Sequence, residues 1–248
     1  MYKISRFVRN SYYMNIEDYL DSTYLKTAEQ AMISEEENRN NIKGLINEAI
    51  KHNFKLVMIR PKYITLAKEL IKKSKSNVLV GTVVDFPLGD SPTEDKIKEA
   101  KDVIELGVDD VDYVADYNIF KQKRFDKFDL DILEGTRLGV IHNKTVKWII
   151  ETGALSVEEI KSITKRISQI VSKEFSDYVE KVFIKTSTGY YGGFGATIKD
   201  VKVMRSVSGD LPIKASGGVS NFSDFSQMIA AGATRIGTSK ALKIFKKE

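Results

Sequence analysis

Two lysines carry the most reactive chemistry in this sequence. Lys185 and Lys214 each stand inside a short apolar run, Val182–Lys185 and Pro212–Ala215. Small residues follow both: Thr186-Ser187-Thr188-Gly189 after the first, Ala215-Ser216-Gly217-Gly218 after the second. One such lysine is ordinarily a snorkelling side chain at a strand edge. Two that converge repel each other, so one gives up its proton near neutral pH. An unprotonated lysine can attack a carbonyl and form a Schiff base. The small residues beyond each lysine let a ligand approach the backbone closely. Asp112 and Glu151 end two other apolar runs, and as carboxylates they either move protons or serve as counter-ions.

The composition narrows the chemistry further. The 248 residues include no Cys and two His, His52 and His142, which excludes a disulfide framework, an iron–sulfur cluster and a cysteine nucleophile. Two distant histidines are a poor start for a catalytic zinc, and both read as surface residues. Hydrophobic residues make up 42% and charged residues 29%, the balance of a globular chain. The 39 Lys and Arg exceed the 34 Asp and Glu by a formal charge of +5. The basic residues alternate with acids along helical stretches, so they read as solvated faces, with no nucleic-acid partner expected. The longest apolar stretch, Val78–Val84, is too short to cross a bilayer, and no membrane partner is expected. Residues Met1–Asn10 are basic without the apolar centre of a secretory signal, which points to a cytoplasmic protein.

The elements that must position the lysines follow from periodicity. Eight apolar runs read as strands: Tyr19–Asp21, Lys55–Arg60, Val78–Asp85, Asp110–Ala115, Val146–Thr152, Val182–Lys185, Pro212–Ala215 and Arg235–Gly237. Most are continuous rather than alternating, as parallel strands covered on both sides require. Helical patterns follow them. Ser34 with Glu37 and Ser156 with Glu159 form capping boxes, and Thr197 and Asn221 read as N-caps. Ser91-Pro92-Thr93-Glu94 reads as an N-cap, a first-turn proline and a glutamate, opening a helix that stops at Gly107. No Pro/Gly/Ser-rich linker divides the chain, so residues 1–248 form one α/β domain, a (β/α)8 barrel. Trp148, inside a strand, reads as barrel packing.

In such a barrel the active site lies at the carboxyl ends of the strands. Those ends present Asp21, Arg60, Asp85, Asp112, Glu151 with Thr152, Lys185, Lys214 and Gly237-Thr238-Ser239, a polar residue or glycine at one level from every strand. Gly217-Gly218 and Gly237-Thr238-Ser239 follow the last two strands, where barrels often bind phosphate through backbone N–H groups. Tight turns with a Ser/Thr cap are the plainer reading of the same residues. Gly232 to Ser239 nearly matches a P-loop, but Thr238 stands where the lysine belongs; Gly193-Phe-Gly195 lacks the final glycine of a dinucleotide fingerprint, having Ile198 instead.

The residues resemble the deoxyribose-phosphate aldolase family. The matching stretches are Asp21-Ser-Thr-Tyr-Leu-Lys26, Gly81-Thr-Val-Val-Asp-Phe-Pro-Leu-Gly89, Val111-Asp-Tyr-Val114, Ile150-Glu-Thr-Gly153, Ile184-Lys-Thr-Ser-Thr-Gly189, Lys214-Ala-Ser-Gly-Gly218 and Gly232-Ala-Thr-Arg-Ile-Gly237. They span nearly the whole chain in the family's order. The resemblance implies a TIM barrel and a class I aldolase that needs no metal and no cofactor. It implies reversible cleavage of a phosphorylated sugar, 2-deoxy-D-ribose 5-phosphate, to acetaldehyde and D-glyceraldehyde 3-phosphate. Lys185 would be the Schiff-base lysine and Lys214 the second lysine, whose charge depresses the pKa of Lys185. Asp112 would relay protons with Lys214 and water. Gly217, Gly218, Gly237 and Ser239 would hold the phosphate, and Asp21, Lys26, Thr152, Thr186 and Gly189 would line the substrate. A homodimer is the assembly expected. The chain departs from the family's pattern at Ser22, at Met58 and Arg60, at Asp116-Tyr-Asn118, and in the tyrosine-free run Phe245-Lys-Lys-Glu248. A related aldolase for another sugar phosphate, and a barrel that only binds one, are the rival readings.

Overall fold

A computed structural model describes residues 15–248; the basic stretch Met1–Asn10 lies outside them. Strands and helices alternate along the chain. They run β1 (Leu20–Tyr24), α1 (Ala28–Ala31), α2 (Glu35–His52), β2 (Leu56–Ile59), α3 (Ile64–Ser74), β3 (Leu79–Val84), α4 (Thr93–Glu105) and β4 (Asp110–Val114). Then come α5 (Tyr117–Lys121), α6 (Phe125–Ile141), β5 (Thr145–Ile149), α7 (Val157–Glu174), β6 (Val182–Lys185), α8 (Ile198–Arg205), β7 (Ile213–Ser216), α9 (Phe222–Ala231), β8 (Arg235–Thr238) and α10 (Ala241–Phe245). Every strand pairs in parallel with the next, and β8 pairs with β1 to close the barrel. The (β/α)8 architecture expected from the sequence is therefore the one observed.

Local sequence chemistry starts most of the helices. Ser34 and Ser156 each accept from the third residue of their helix, and Glu37 and Glu159 return a carboxylate to the cap N–H. Thr197 and Asn221 cap α8 and α9 in the same way. Thr27 adds a third capping box at α1. The helix after β3 behaves differently. Ser91 donates its hydroxyl to Asp85 Oδ1 at 2.7 Å and its N–H to Asp85 Oδ2 at 3.0 Å, so it closes the loop rather than the helix. Pro92 takes the cap position of α4 without a side-chain bond. The carboxylate six residues upstream outcompetes the helix for that hydroxyl.

Alternation along the strands sorts side chains into two layers. Val57 and Ile59 on β2 and Tyr113 on β4 point outward into the large core beneath the helices. Trp148 on β5 does the same, stacked on Tyr113 with ring centroids 4.7 Å apart and donating to Thr136 Oγ1. Leu56 and Met58 point inward, where they pack with Leu25 and Val83 as a small separate cluster. On the other strands the inward positions include seven charged residues, Asp21, Asp110, Asp112, Lys147, Lys185, Lys214 and Arg235, all buried.

That placement corrects the expectation of polar groups at one common level. Asp21 is the second residue of β1, Asp112 the middle residue of β4, and Lys214 the second residue of β7. Lys185 alone of these ends its strand. Strand stagger brings the groups together: Lys185 pairs in register with Lys214, Lys214 with Arg235, and Asp112 with Lys147. Asp85 lies beyond the end of β3 with φ of 53°, its carboxylate turned to Ser91 and to Lys96 at 3.6 Å.

Candidate active site

One carboxylate organises the barrel interior. Asp112 Oδ2 accepts from Lys185 Nζ at 2.9 Å and from Lys214 Nζ at 2.9 Å. Its Oδ1 accepts from a third lysine, Lys147, at 2.8 Å. Lys147 also donates to Asp110 Oδ2 at 2.6 Å. Lys214 makes an ion contact of 2.7 Å with Asp21 Oδ2. Arg235 completes the chain, its Nε 2.8 Å from Asp21 Oδ1, its Nη2 on the same oxygen and 3.4 Å from Asp110 Oδ2. Four cations thus share three carboxylates among the described residues.

The surplus cation decides the protonation states. Burial opposes ionisation of Asp112, yet the ammonium groups of Lys147, Lys185 and Lys214 outweigh it and hold its carboxyl well below the usual range. Burial likewise works against Asp21, and Arg235 and Lys214 bring it down to about 2. Lys147 is desolvated too, but Asp110, Asp112 and Asp21 keep its pKa above the ordinary lysine value. Lys185 goes the other way and falls to about 8. Its largest cause is burial; Asp112 opposes it, and the charges of Lys214 and Lys147 add to it. The expected influence of Lys214 is present, but desolvation leads it.

Glycines let these groups meet. A Cβ on Gly237 would stand 2.8 Å from Ser216 Oγ and 3.0 Å from Lys214 Cε, so β8 leaves the space through which Lys214 extends. Gly195 touches the backbone of Gly217, where a Cβ would come within 2.5 Å of its carbonyl. That contact seats the loop after β6 against the turn after β7. Gly189, Gly217 and Gly218 all have positive φ, which glycine adopts without penalty.

The other sequence-selected residues divide into two groups. Thr186 lies buried between β6 and β7, donating to the Ser216 carbonyl and accepting from the Ser216 N–H. Thr152 is buried, its N–H bonded to the Thr186 carbonyl at 2.8 Å and its hydroxyl without a protein partner among the described residues. Asp21 is fully buried in the ion network instead of facing the opening. Lys26 and Ser239 are exposed, in the loops after β1 and β8. Lys147 and Asp110 stand in no motif and at no carboxyl end of a strand, and Arg235 lies within the stretch Gly232–Gly237 without a role assigned to it. Their signal was a charge on the same face as Asp112 or Lys214 within an otherwise apolar strand.

Comparison with known proteins identifies the family. A protein of Staphylococcus saprophyticus named deoxyribose-phosphate aldolase is 44% identical over 232 residues, covering 93% of this chain and 96% of its own. The chain belongs to the deoxyribose-phosphate aldolase family. Among solved structures, an aldolase called QR15 superposes with a TM-score of 0.79 at 31% identity, covering 94% of this chain and 96% of that one. A deoxyribose phosphate aldolase of Aeropyrum pernix, described as a unique tetramer, gives a TM-score of 0.75 at 25% identity over 93% and 89% of the two chains. No protein-family model matches. Membership makes the protein an aldolase. No helix of the described residues is long and apolar enough to cross a membrane.

Proposed function

We propose that this family member cleaves 2-deoxy-D-ribose 5-phosphate reversibly to acetaldehyde and D-glyceraldehyde 3-phosphate, with Lys185 as the imine-forming residue. The observation that carries the assignment is that Lys185 is buried at the end of its strand and touches one carboxylate oxygen, Asp112 Oδ2, which it shares with Lys214 at 2.9 Å each, a setting that lowers its pKa to about 8. A measurable fraction of Lys185 is then unprotonated near neutral pH and can attack the aldehyde carbon of the open-chain sugar. Loss of water gives an iminium at the first carbon, which draws the electrons of the bond between the second and third carbons as it breaks. Asp112 and Lys214, with water, return protons to the resulting enamine before hydrolysis frees acetaldehyde. Backbone N–H groups around Gly217, Gly218, Gly237 and Ser239 hold the phosphate. Asp21 acts through Lys214; Thr152, Thr186 and Gly189 line the substrate side, and Lys26 borders it. The chain works as one domain, in the cytoplasm, as a homodimer; the tetrameric Aeropyrum pernix relative makes light scattering the deciding measurement.

Borohydride reduction in the presence of acetaldehyde, followed by peptide mapping, tests the central assignment. A reduced two-carbon adduct on Lys185 is expected. An adduct confined to another lysine would overturn it.

A further inference from the structure

Glu151 is a buried carboxylate outside the lysine network. It follows β5 with φ of 54° and ψ of 68°, a left-handed backbone that glutamate rarely adopts. The side chain is 1% exposed. Its Oε2 accepts from the Thr188 N–H at 3.1 Å and from the Thr188 hydroxyl. Its Oε1 is buried and has no hydrogen-bond partner among the described residues. The neighbouring Thr152 hydroxyl is buried and unpartnered as well. A buried carboxylate oxygen left without a donor is costly, so a bound molecule that supplies a donor is favoured there. The position is also the right one: Glu151 follows the strand between those of Asp112 and Lys185, and the Lys185 ammonium is close enough to act on its charge.

We propose that Glu151 is a further catalytic residue, whose Oε1 accepts the hydrogen bond of the substrate hydroxyl on the far carbon of the bond that breaks, the third carbon of the sugar. This rests on the Schiff-base reading of Lys185. In the cleavage step the hydroxyl proton passes to Glu151 Oε1 and the carbon–oxygen bond becomes the carbonyl of the departing aldehyde. The electrons of the broken carbon–carbon bond reduce the iminium to the enamine, so charge and atoms balance. Burial, the largest influence on Glu151, raises its pKa against the two Thr188 hydrogen bonds and Lys185, which lower it; a carboxyl so placed accepts a proton more readily than an exposed one. The clamp on Thr188 fixes Oε2 and thereby aims Oε1.

Acetaldehyde has no such hydroxyl, and this separates the proposal from the reading beneath it. In Glu151→Gln, the rate of sugar-phosphate cleavage relative to the rate of borohydride trapping by acetaldehyde should fall by about 10²–10⁴-fold. The same ratio in Thr188→Val, which removes the hydroxyl half of the clamp and keeps the N–H half, should fall far less, by about three- to tenfold. Glu151→Asp keeps a carboxyl but withdraws it, and should give an intermediate ratio; it also serves if the Gln variant fails to fold. A ratio unchanged in Glu151→Gln, or lowered equally in Thr188→Val, would overturn the proposal. Absence of a Lys185 adduct in the wild-type protein would instead overturn the Schiff-base reading.

Discussion

Lys147 and Lys185 are the same side chain in the same barrel, both buried, yet they titrate in opposite directions. Lys147 touches two carboxylates, Asp110 and Asp112, at 2.6 and 2.8 Å. Lys185 touches only Asp112 among the described residues, on an oxygen it shares with Lys214. Desolvation penalises both ammonium groups, so the number of anions in contact decides the sign. The inner end of the network is a compensated ion cluster that stays charged. The mouth end is one anion short, and the deficit falls on the lysine that ends its strand.

The comparison can be broken most severely at Asp112. Asp112→Asn leaves three ammonium groups without their shared anion. Stability should drop by about 3–5 kcal/mol in urea unfolding, since a buried pair loses one partner, and kcat should fall by about 10²–10⁴-fold as the proton relay is lost.

Lys185 also leaves a mark on stability. Its folded pKa, about 8, lies below its ordinary value of 10.5, so between these pH values the unfolded chain binds more protons. Stability relative to Lys185→Met should therefore rise across that window, by up to about 3 kcal/mol. Lys147 works with the opposite sign: its raised pKa contributes stability that is present below pH 10.5 and is lost as pH climbs through the folded value. Urea titrations at pH 7.5 and 9.5 on both proteins check the Lys185 window; a flat difference would refute the shift.

Lys147→Met sharpens the same contrast. The acid limb of kcat/KM in the wild-type enzyme should fall near pH 8, where Lys185 loses its proton. Removing Lys147 takes away a repelling charge and releases Asp112 from a competitor, so both effects raise the pKa of Lys185. The limb should move to higher pH, lowering activity at pH 7 by about tenfold for each unit moved. A shift to lower pH would contradict the account. The smallest effect is expected from Gly237→Ala, whose methyl meets Ser216 Oγ and Lys214 Cε. It should cost about 1–3 kcal/mol in thermal or urea unfolding and a few-fold in kcat.

What the sequence revealed follows the range of the interactions involved. The boxes at Ser34 and Ser156 and the caps at Thr197 and Asn221 were legible because both partners lie within three residues. Ser91 misled because its hydroxyl is taken by Asp85, a partner set by the loop fold. Lys185, Lys214 and Asp112 were legible from their apolar strands and from the motifs around them. The roles of Lys147 and Arg235 were not, because their partners Asp110 and Asp21 lie 37 and 214 positions away along the chain. The alternation Asp110-Val-Asp112 already marked the inner face of β4, and reading Lys147 against it would have added the third lysine. The stagger that joins these strands is absent from any single run of residues.

The apolar wall formed by Leu25, Leu56, Met58 and Val83 occupies the side of the barrel that the charge network leaves empty. The ion network and this wall therefore draw on different strands. Exchanges at Met58 or Val83 change the apolar wall without altering how many anions Lys185 touches. Volume in one sector of the barrel can thus change while the charge balance at Lys185 is held constant.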